Sequence, residues 1–489
     1  MLSIGPKGFS IPKASLSPKV LDALRAELTV KPINMMDEYL ANSKRNMPDT
    51  SFPVYHETCD EILVPKAYGL SHFGVAQHID LPDGTDIDVR FEGELRPTQM
   101  EPTQAFMDAL ADPKRMGGII NLACAGGKTV IALNIISRLQ KKAMIVCHKE
   151  FLISQWKERI AEFLPTARVG IIKAKECDVV DKDIVIASLQ SLSMKQYERS
   201  TFKEFAIAVY DECHHTSAAV FSRVFATVGT RYTLGLSATL NRKDGLTKVF
   251  KWHIGDVVHH VQPPRPKSGG KSELRVISIP FQDTCPSYCR VPTIFGGQKP
   301  NTSRMINNIC EFQPRTMFLV ECVRDTLIAE PGRKILVLSD RRGHLEEIQR
   351  RLTAVGVDAG LYYGGLKQSV LSESEKKTVM LGTFAYVSEG FDNKDLNTIV
   401  LGSPKSDIVQ VVGRILRTPP EERRHVPLVL DIVDKFSVFT NQARSRVRYY
   451  NSQGYMVSNV SGGDLTKAVQ MMQEKPIACL IEDDPDEIL

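Results

Sequence analysis

At 489 residues the chain is too long for one ordinary domain, and its length predicts roughly three units. A composition of 43% hydrophobic and 24% charged residues is that of a globular protein, which argues against a disordered or fibrous chain. The formal charge of +5 permits nucleic-acid binding but does not indicate it by itself. No apolar run approaches the roughly 20 residues of a membrane span, and the N-terminus lacks a signal-peptide core. We therefore expect a soluble, intracellular protein with no membrane partner.

The ten cysteines form no paired framework. Cys285 and Cys289 are the only close pair, and neither Cys310 nor Cys322 has a nearby thiol to complete a four-ligand set. Reduced thiols are therefore the favoured interpretation, with a zinc site as the less favoured one.

The organisation of the chain changes near residue 91. Residues 1–90 are rich in proline and predict a small N-terminal accessory domain. Beyond them, short apolar runs such as AMIVCH and AIAVYDE alternate with longer amphipathic segments. That alternation predicts an α/β fold, in which parallel strands are covered on both faces by crossover helices. We predict lobes at 91–262 and 315–455, a linker at 263–314 and, at 456–489, an extension that ends in an acidic tail.

The segment ACAGGKT (123–129) lies between an apolar run and a helical pattern. Small residues there let backbone N–H groups approach phosphates, and the helix N-terminus adds partial positive charge. Lys128 would reach the β- and γ-phosphates of ATP, and the Thr129 hydroxyl would coordinate Mg²⁺. The general pattern begins with a glycine where this chain has Leu122, so the match is imperfect. The small residues expected around the phosphates are Ala125, Gly126 and Gly127.

An apolar strand pattern at 206–210 ends in DECH (211–214). The carboxyl end of such a strand is where an α/β sheet places its ligands. Asp211 would hold Mg²⁺ and Glu212 would orient and deprotonate the attacking water, while His214 would sense the γ-phosphate or contact the other lobe. In LSATL (236–240), Ser237 and Thr239 could link the ATP site to a nucleic-acid groove.

In this order, the motifs resemble those of the superfamily 2 helicases and translocases, which have two tandem RecA-like domains. LRPTQ (95–99) is similar to the family's adenine-side segment, where Gln99 would accompany the base. ILVLSDRR (335–342) resembles the first motif of the second lobe, and GTFAYVSEGFD (382–392) resembles a later one, ending with Gly390 and Asp392. In QVVGRILR (410–417) the resemblance implies that Gln410 faces the nucleotide. It also implies that Arg414 and Arg417 bring positive charge to the γ-phosphate, since residues three apart share a helix face.

Three further segments narrow the resemblance. ISQWKE (153–158), DECHH (211–215) and SATLNRKDGL (237–246) are similar to the branch containing the XPB-type, UvsW-type and poxvirus transcript-release helicases. The leader ILVPKAYGLSHFG (62–74) resembles helicases of large double-stranded DNA viruses, which would place the protein in the host cytoplasm or nucleus, or in the virion. XPB-like proteins have an Arg-Glu-Asp element where this chain has Arg242-Lys243-Asp244. A strand-separating role for that glutamate therefore does not carry over.

The same resemblance indicates nucleic-acid contacts that carry no sequence code. The candidates are polar groups after predicted strands, namely His148, Ser188, Gln190 and Thr383, together with Ser237 and Thr239. Each is equally compatible with an ordinary polar loop residue.

The sequence thus predicts a monomeric, ATP- and Mg²⁺-dependent DNA helicase or translocase. Its partners would be single-stranded, duplex or branched DNA, with RNA as the alternative, and transcription or repair machinery. Two other functions stay open at this point. One is the motor subunit of a restriction or nuclease system, and the other is a non-hydrolysing nucleic-acid-binding scaffold.

Overall fold

The structure is a computed structural model. It describes residues 1–32, 50–122, 126–212, 218–238, 245–260, 274–294, 300–390, 393–416, 418 and 420–460. The chain divides into two compact units, Met1–Gln262 and Pro263–Leu489. Each unit is described by itself below.

The first unit begins with a small five-stranded sheet in the order β5-β6-β2-β1-β7, beside a two-stranded β3-β4 ribbon. Its core residues, among them Phe9, Ile62 and Tyr68, pack together with Met116 and Trp252 of the following domain. Residues 1–90 are therefore joined to the first lobe by a shared apolar cluster. The elements are β1 (Ser3–Gly5), β2 (Gly8–Pro12), α1 (Pro18–Glu27), β3 (Thr29–Val30), β4 (Phe52–Pro53), β5 (His56–Glu57), β6 (Glu61–Val64), α2 (Lys66–Phe73) and β7 (His78–Ile79).

The rest of the first unit is an eight-stranded sheet in the order β11-β10-β12-β9-β13-β14-β8-β15, in which only the β10-β11 pair is antiparallel. The elements are α3 (Pro97–Ala111), β8 (Gly117–Asn121), α4 (Lys128–Leu139), β9 (Ala143–Cys147), α5 (Glu150–Phe163), β10 (Val169–Lys173), β11 (Glu176–Cys177), β12 (Ile184–Ser188), α6 (Leu189–Met194), β13 (Ile207–Asp211), α7 (Ala218–Val228), β14 (Tyr232–Ser237), α8 (Thr247–Ile254) and β15 (Val257–His260), with a 3₁₀ turn at Arg199–Phe202.

Alternating residues of the central strands enter two separate cores, as a sheet covered on both faces requires. In β13, Val209 belongs to one core with Ile135 of α4 and Trp156 of α5. Its neighbour Tyr210 belongs to the opposite core with Phe221 of α7. The apolar runs of the sequence are thus buried on both sides, and their polar ends meet at one edge of the sheet.

The second unit has a seven-stranded parallel sheet in the order β18-β19-β17-β20-β21-β16-β22. The elements are β16 (Arg275–Phe281), α9 (Pro286–Cys289), α10 (Thr302–Glu311), α11 (Gln313–Ala329), β17 (Ile335–Ser339), α12 (Arg342–Ala354), β18 (Ala359–Tyr362), α13 (Gln368–Lys376), β19 (Val379–Thr383), α14 (Phe384–Gly390), β20 (Thr398–Leu401), α15 (Val409–Val412), β21 (Leu428–Asp434), α16 (Ser437–Ser452) and β22 (Met456–Asn459). The second unit also has 3₁₀ turns at Gly413–Leu416 and Pro420–Glu422, and the first unit has one more at Lys13–Ser15.

The α/β fold class predicted from the sequence is confirmed in both units. The segment 263–314, treated as a linker in the sequence analysis, differs from that expectation. Its strand β16 pairs with β21 and β22 inside the sheet, because the alternating residues of RVISIPF can face both cores. The segment 456–489 likewise begins with strand β22, and residues 461–489, including the predicted acidic tail, lie outside the described residues.

Candidate active site

The phosphate-loop motif occupies the turn between β8 and α4. Gly127 precedes the first residue of α4 with φ of 78°, a left-handed conformation that glycine adopts without steric cost. A Cβ at this position would lie 1.9 Å from Nε2 of Gln99, so any other residue would displace the Gln99 amide. Lys128 and Thr129 open the first turn of α4. Ala125 lies outside the described residues.

Gln99 connects this loop to the start of α3. Its Oε1 accepts a hydrogen bond from the backbone N–H of Arg96 at 2.9 Å, which caps the helix. Its Nε2 donates to the carbonyl of Gly126 at 3.5 Å. The side chain predicted to accompany the adenine therefore lies beside the phosphate loop.

The acidic motif lies at the end of β13, two strands from β8 in the sheet. Lys128 Nζ forms an ion pair with Glu212 Oε1, and 12% and 16% of the two side chains remain exposed. Glu212 has φ of 45°, a left-handed conformation that costs a residue with a side chain on the order of 1 kcal/mol. The structure thus brings together two groups that lie 84 residues apart in sequence.

The carboxylate of Asp211 is held by a residue to which the sequence analysis assigned no role. Trp156 Nε1 donates to Asp211 Oδ2 at 2.9 Å from helix α5. Burial and the charge of Glu212 raise the pKa of Asp211, while Lys128 and the Trp156 hydrogen bond oppose that rise. The signal was available in ISQWKE, since this segment contains one of only two tryptophans in the chain.

Asn121 is a second residue that the sequence analysis missed. In the amide orientation that satisfies its neighbours, Nδ2 donates to the carbonyls of Ser237 at 3.0 Å and Ala238 at 3.3 Å. Its oxygen accepts from His260 Nδ1 at 2.7 Å. The backbone of Ser237 also accepts from Leu122 N–H at 3.0 Å. These bonds fix the predicted coupling segment against the strand that leads into the phosphate loop.

The other predicted contacts in the first unit form a cluster at the ends of β9 and β12. Gln190 Nε2 donates to the carbonyl of His148 at 2.6 Å, and Ser188 Oγ donates to Gln190 Oε1 at 2.9 Å. The His148 side chain is buried, whereas that of Gln190 is exposed. His214, Thr239 and the segment 242–244 lie outside the described residues.

In the second unit, Thr383 ends β19 and Gly390 ends the following helix α14. Gln410 lies in the short helix α15, and Arg414 lies in the 3₁₀ turn that follows it. Arg414 is buried, at 8% exposure. Asp392 and Arg417 lie outside the described residues, so the expected pairing of Arg414 and Arg417 on one helix face stays a prediction.

Oxygen ligands for a divalent cation are present in the first unit. Asp211 supplies a carboxylate in a fixed orientation and Thr129 a hydroxyl at the start of α4, and hard oxygen ligands of this kind suit Mg²⁺. Among the described residues, no three His, Cys, Asp or Glu side chains form a metal cluster. Mg²⁺ commonly keeps part of its coordination for substrate phosphates, and one carboxylate with one hydroxyl fits such a cation.

Comparison with known proteins places this site in a family. A model described as "Type III restriction enzyme, res subunit" matches residues 92–242. A protein of Acanthamoeba polyphaga mimivirus described as a "Putative ATP-dependent RNA helicase" is 30% identical over 462 residues, which cover 92% of this chain and 85% of the relative. The chain belongs to the superfamily 2 helicases. An African swine fever virus protein with the same description is 25% identical over 359 residues, 68% of each chain.

The fold agrees with this assignment. The solved structure of S. cerevisiae Dbp5 bound to RNA and ADP BeF3 matches with a TM-score of 0.53 at 11% identity, covering 78% of this chain and 97% of that one. This likeness shows tandem RecA-like domains, as the motif order predicts. The relatives among large DNA viruses confirm the predicted branch, and the protein is an ATP-dependent helicase that acts on nucleic acid. Within the described part of the chain, no helix is both long and apolar enough to cross a bilayer.

Proposed function

We propose that this helicase is a DNA translocase whose ATP hydrolysis is carried out by Lys128, Asp211 and Glu212. The observation that carries the proposal is the ion pair between Lys128 and Glu212, with Asp211 fixed beside it. Phosphoryl transfer requires a cation against the phosphates and a carboxylate that can orient water, and this pair supplies both within one site.

In the proposed reaction, Lys128 turns from Glu212 to the β- and γ-phosphates of ATP. Glu212 then accepts a hydrogen bond from a water and takes its proton as the water oxygen bonds to the γ-phosphorus. The bond from that phosphorus to the bridging oxygen breaks, and ADP leaves with the electron pair. Gly126 and Gly127 let backbone N–H groups approach the phosphates, and Gln99 contacts the base. Asp211 and Thr129 would hold Mg²⁺, which would supply positive charge to the phosphoryl oxygens.

We propose that residues of the second unit also take part in the reaction. The residues that would act in ATP hydrolysis are Gln410, Arg414, Arg417, Gly390 and Asp392. The proposed contacts to the nucleic-acid strand, or the groups that couple its movement to ATP hydrolysis, are His148, Ser188, Gln190, Thr383, Ser237 and Thr239.

The names of the relatives point to two kinds of nucleic acid. The matched family is named for a restriction enzyme subunit, whereas the viral relatives are described as RNA helicases. We propose DNA because the matched family is named for a restriction enzyme subunit and the motifs resemble the XPB and UvsW branch. RNA is the competing outcome of the experiment below.

The test measures ATP turnover by the full chain with single-stranded, duplex and branched DNA and with RNA. We expect DNA to stimulate turnover more than RNA, and Lys128→Ala to abolish stimulated turnover. Lys175→Ala, which removes an exposed lysine from the same unit, is the matched control and should behave as wild type. Stimulation by RNA alone would refute the DNA proposal, and equal turnover by Lys128→Ala would refute the site.

A further inference from the structure

A cavity outside the candidate active site lies in the first unit, where the N-terminal sheet meets the first RecA-like domain. It has a volume of about 100 Å³ and is bounded by the β1-β2 turn, strands β4 and β5, and helices α2, α7 and α8. The β1-β2 turn contacts the domain closely, because a Cβ on Gly229 (φ of 54°) would lie 2.6 Å from Pro6. The cavity is separate in sequence from the phosphate loop and the acidic motif.

The titratable side chains that line this cavity are mostly basic. Lys66 and His253 are buried at 9% and 8% exposure, while Lys7, His56 and Arg223 are exposed. No carboxylate is among the described lining residues, and the other titratable group is the Tyr210 hydroxyl. Three carboxylates are next to lining residues in sequence: Glu57 beside His56, Asp80 beside Leu81 and Asp211 beside Tyr210. Glu57 forms ion pairs with Arg25 at 2.7 Å and Lys13 at 3.1 Å, and Asp211 accepts from Trp156. These groups are referred to below as the basic cavity.

Lys66 retains an unused donor in this arrangement. Its Nζ donates to the carbonyls of Thr230 at 3.1 Å and Arg231 at 2.7 Å, whereas an ammonium has three N–H groups. His253 Nε2 forms a hydrogen bond with Ser222 Oγ at 3.0 Å, and the His253 ring stacks on Phe225. A buried ammonium with carbonyl partners alone is costly unless an anion accompanies it.

We propose that the basic cavity binds one phosphate-sized oxyanion, which links the N-terminal sheet to the first RecA-like domain. The cavity, at about 100 Å³, has room for a compact, phosphate-sized group. Lys66 and His253 would contact the anion from the interior, and Lys7, His56 and Arg223 would neutralise it from the solvent side. The source is either free phosphate or the terminal phosphate of a nucleic-acid strand.

The protonation of these groups supports the same assignment. Burial and the charge of Arg231 lower the pKa of Lys66 to about 7. Burial and repulsion from His56 and Lys66 lower the pKa of His253 to about 3. Partial desolvation of the exposed His56 side chain, together with Lys7, lowers the pKa of His56. An anion would favour the protonated forms and raise all three values. Anion binding should therefore take up protons and weaken as the pH rises through the pKa of Lys66.

The experiment follows the thermal unfolding of the full chain in phosphate or sulfate against chloride at equal ionic strength. We expect the unfolding midpoint to rise with the logarithm of oxyanion concentration, as mass action requires. Lys66→Met should abolish this response, and Arg223→Ala, an exposed substitution that leaves the core intact, should weaken binding about tenfold. Lys203→Met, an exposed lysine elsewhere in the unit, is the control and should respond as wild type.

Further arms separate this cavity from the ATP site and identify the source of the anion. The response should persist in Lys128→Ala, and its loss there would show that the oxyanion binds at the phosphate loop. Sulfate, whose charge is constant between about pH 6 and 9, should bind more weakly at the higher pH. A dinucleotide with a 5′-phosphate, compared with the same dinucleotide without it, tests the strand end. A full oxyanion response in both Lys66→Met and Arg223→Ala, or no response in the wild type, would overturn the proposal.

Discussion

Two ion pairs at strand ends differ in how their side chains are held: Lys128–Glu212, just after β13, and Arg315–Asp434, at the last residue of β21. Arg315 donates to both oxygens of Asp434, at 2.6 and 2.8 Å, and both side chains are fully buried. Tyr288 adds a hydrogen bond to Asp434 at 2.7 Å, and Arg315 also donates to the carbonyl of Gly402. Lys128 and Glu212 are partly exposed, and Glu212 has a strained backbone.

This difference separates a structural pair, Arg315–Asp434, from the pair that we propose is functional, Lys128–Glu212. A bidentate guanidinium–carboxylate pair with every oxygen engaged fixes one geometry. A lysine is a point charge on a flexible stem, so it can leave one acidic partner for another without a geometric penalty. The pair that we propose exchanges its partner for ATP is accordingly the one formed by lysine.

The largest expected effect comes from the functional pair. Glu212→Gln removes the proposed base but keeps the size and shape of the side chain. Stimulated ATP turnover should therefore fall by about 10²- to 10⁴-fold. Steady-state turnover and thermal unfolding measured on the same sample test this. The unfolding midpoint should remain close to that of wild type.

A Glu212→Gln enzyme with wild-type turnover would show that Glu212 is not the base. Glu176→Gln, at an exposed position of β11, is the control for adding an amide to this unit. It should leave turnover unchanged.

Substitution in the structural pair should change the free energy of unfolding. Arg315→Met leaves Asp434 buried without its cation, which should lower the free energy of unfolding by about 3–5 kcal/mol. Denaturant unfolding of the full chain, followed through the transition of the second unit, measures this change.

The double variant Arg315→Met/Asp434→Leu distinguishes an unpaired charge from a packing defect. Because neither charge remains buried, it should recover most of the lost stability. If the double variant were less stable than Arg315→Met, the loss would lie in packing, and the proposed contrast between the two pairs would fail.

The two pairs also show how far sequence reasoning reaches. Lys128, Asp211 and Glu212 were predicted because each follows an apolar strand, and the carboxyl ends of parallel strands meet at one edge of the sheet. The Arg315–Asp434 pair was not predicted, because its members are 119 residues apart in segments that carry no motif. Tyr288 of the same network lies in the segment treated as a linker. Proline and glycine near residues 262–270 concealed the adjacent strand β16.

The N-terminal sheet shows the same limit more strongly. Its strands are two to five residues long, too short for an alternating pattern to predict them. The basic cavity is built from residues separated by almost 250 positions, and no local pattern joins Lys7 to His253. Such a site becomes visible only when the chain is folded.

A third prediction concerns Lys66, a buried cation in a cavity that has no carboxylate among its described lining residues. Between its folded pKa of about 7 and its ordinary value of 10.5, the unfolded chain holds a proton that the folded chain lacks. Stability should therefore rise with pH across this window, by up to about 1.4 kcal/mol per pH unit for this group. Lys66→Met should remove that part of the slope.

The comparison is made by denaturant unfolding of wild type and variant in phosphate-free buffer at several pH values. Other groups that titrate in this range contribute equally to both proteins and cancel in the difference. Parallel stability profiles would show that Lys66 has an ordinary pKa in the folded protein.

The smallest expected effect concerns Trp156, which distinguishes a positioning residue from a core residue. Trp156→Phe keeps most of the apolar contact in the core but removes the hydrogen bond to Asp211. That bond lowers the pKa of Asp211, so its loss should raise the pKa further. Because Asp211 is proposed to act in its ionised form, the acidic limb of the turnover profile should move to higher pH, with a severalfold loss below it. Trp252→Phe, the other tryptophan, should leave the limb in place. An unshifted limb in Trp156→Phe would assign Trp156 to packing alone, because only the hydrogen bond links it to the chemistry at Asp211.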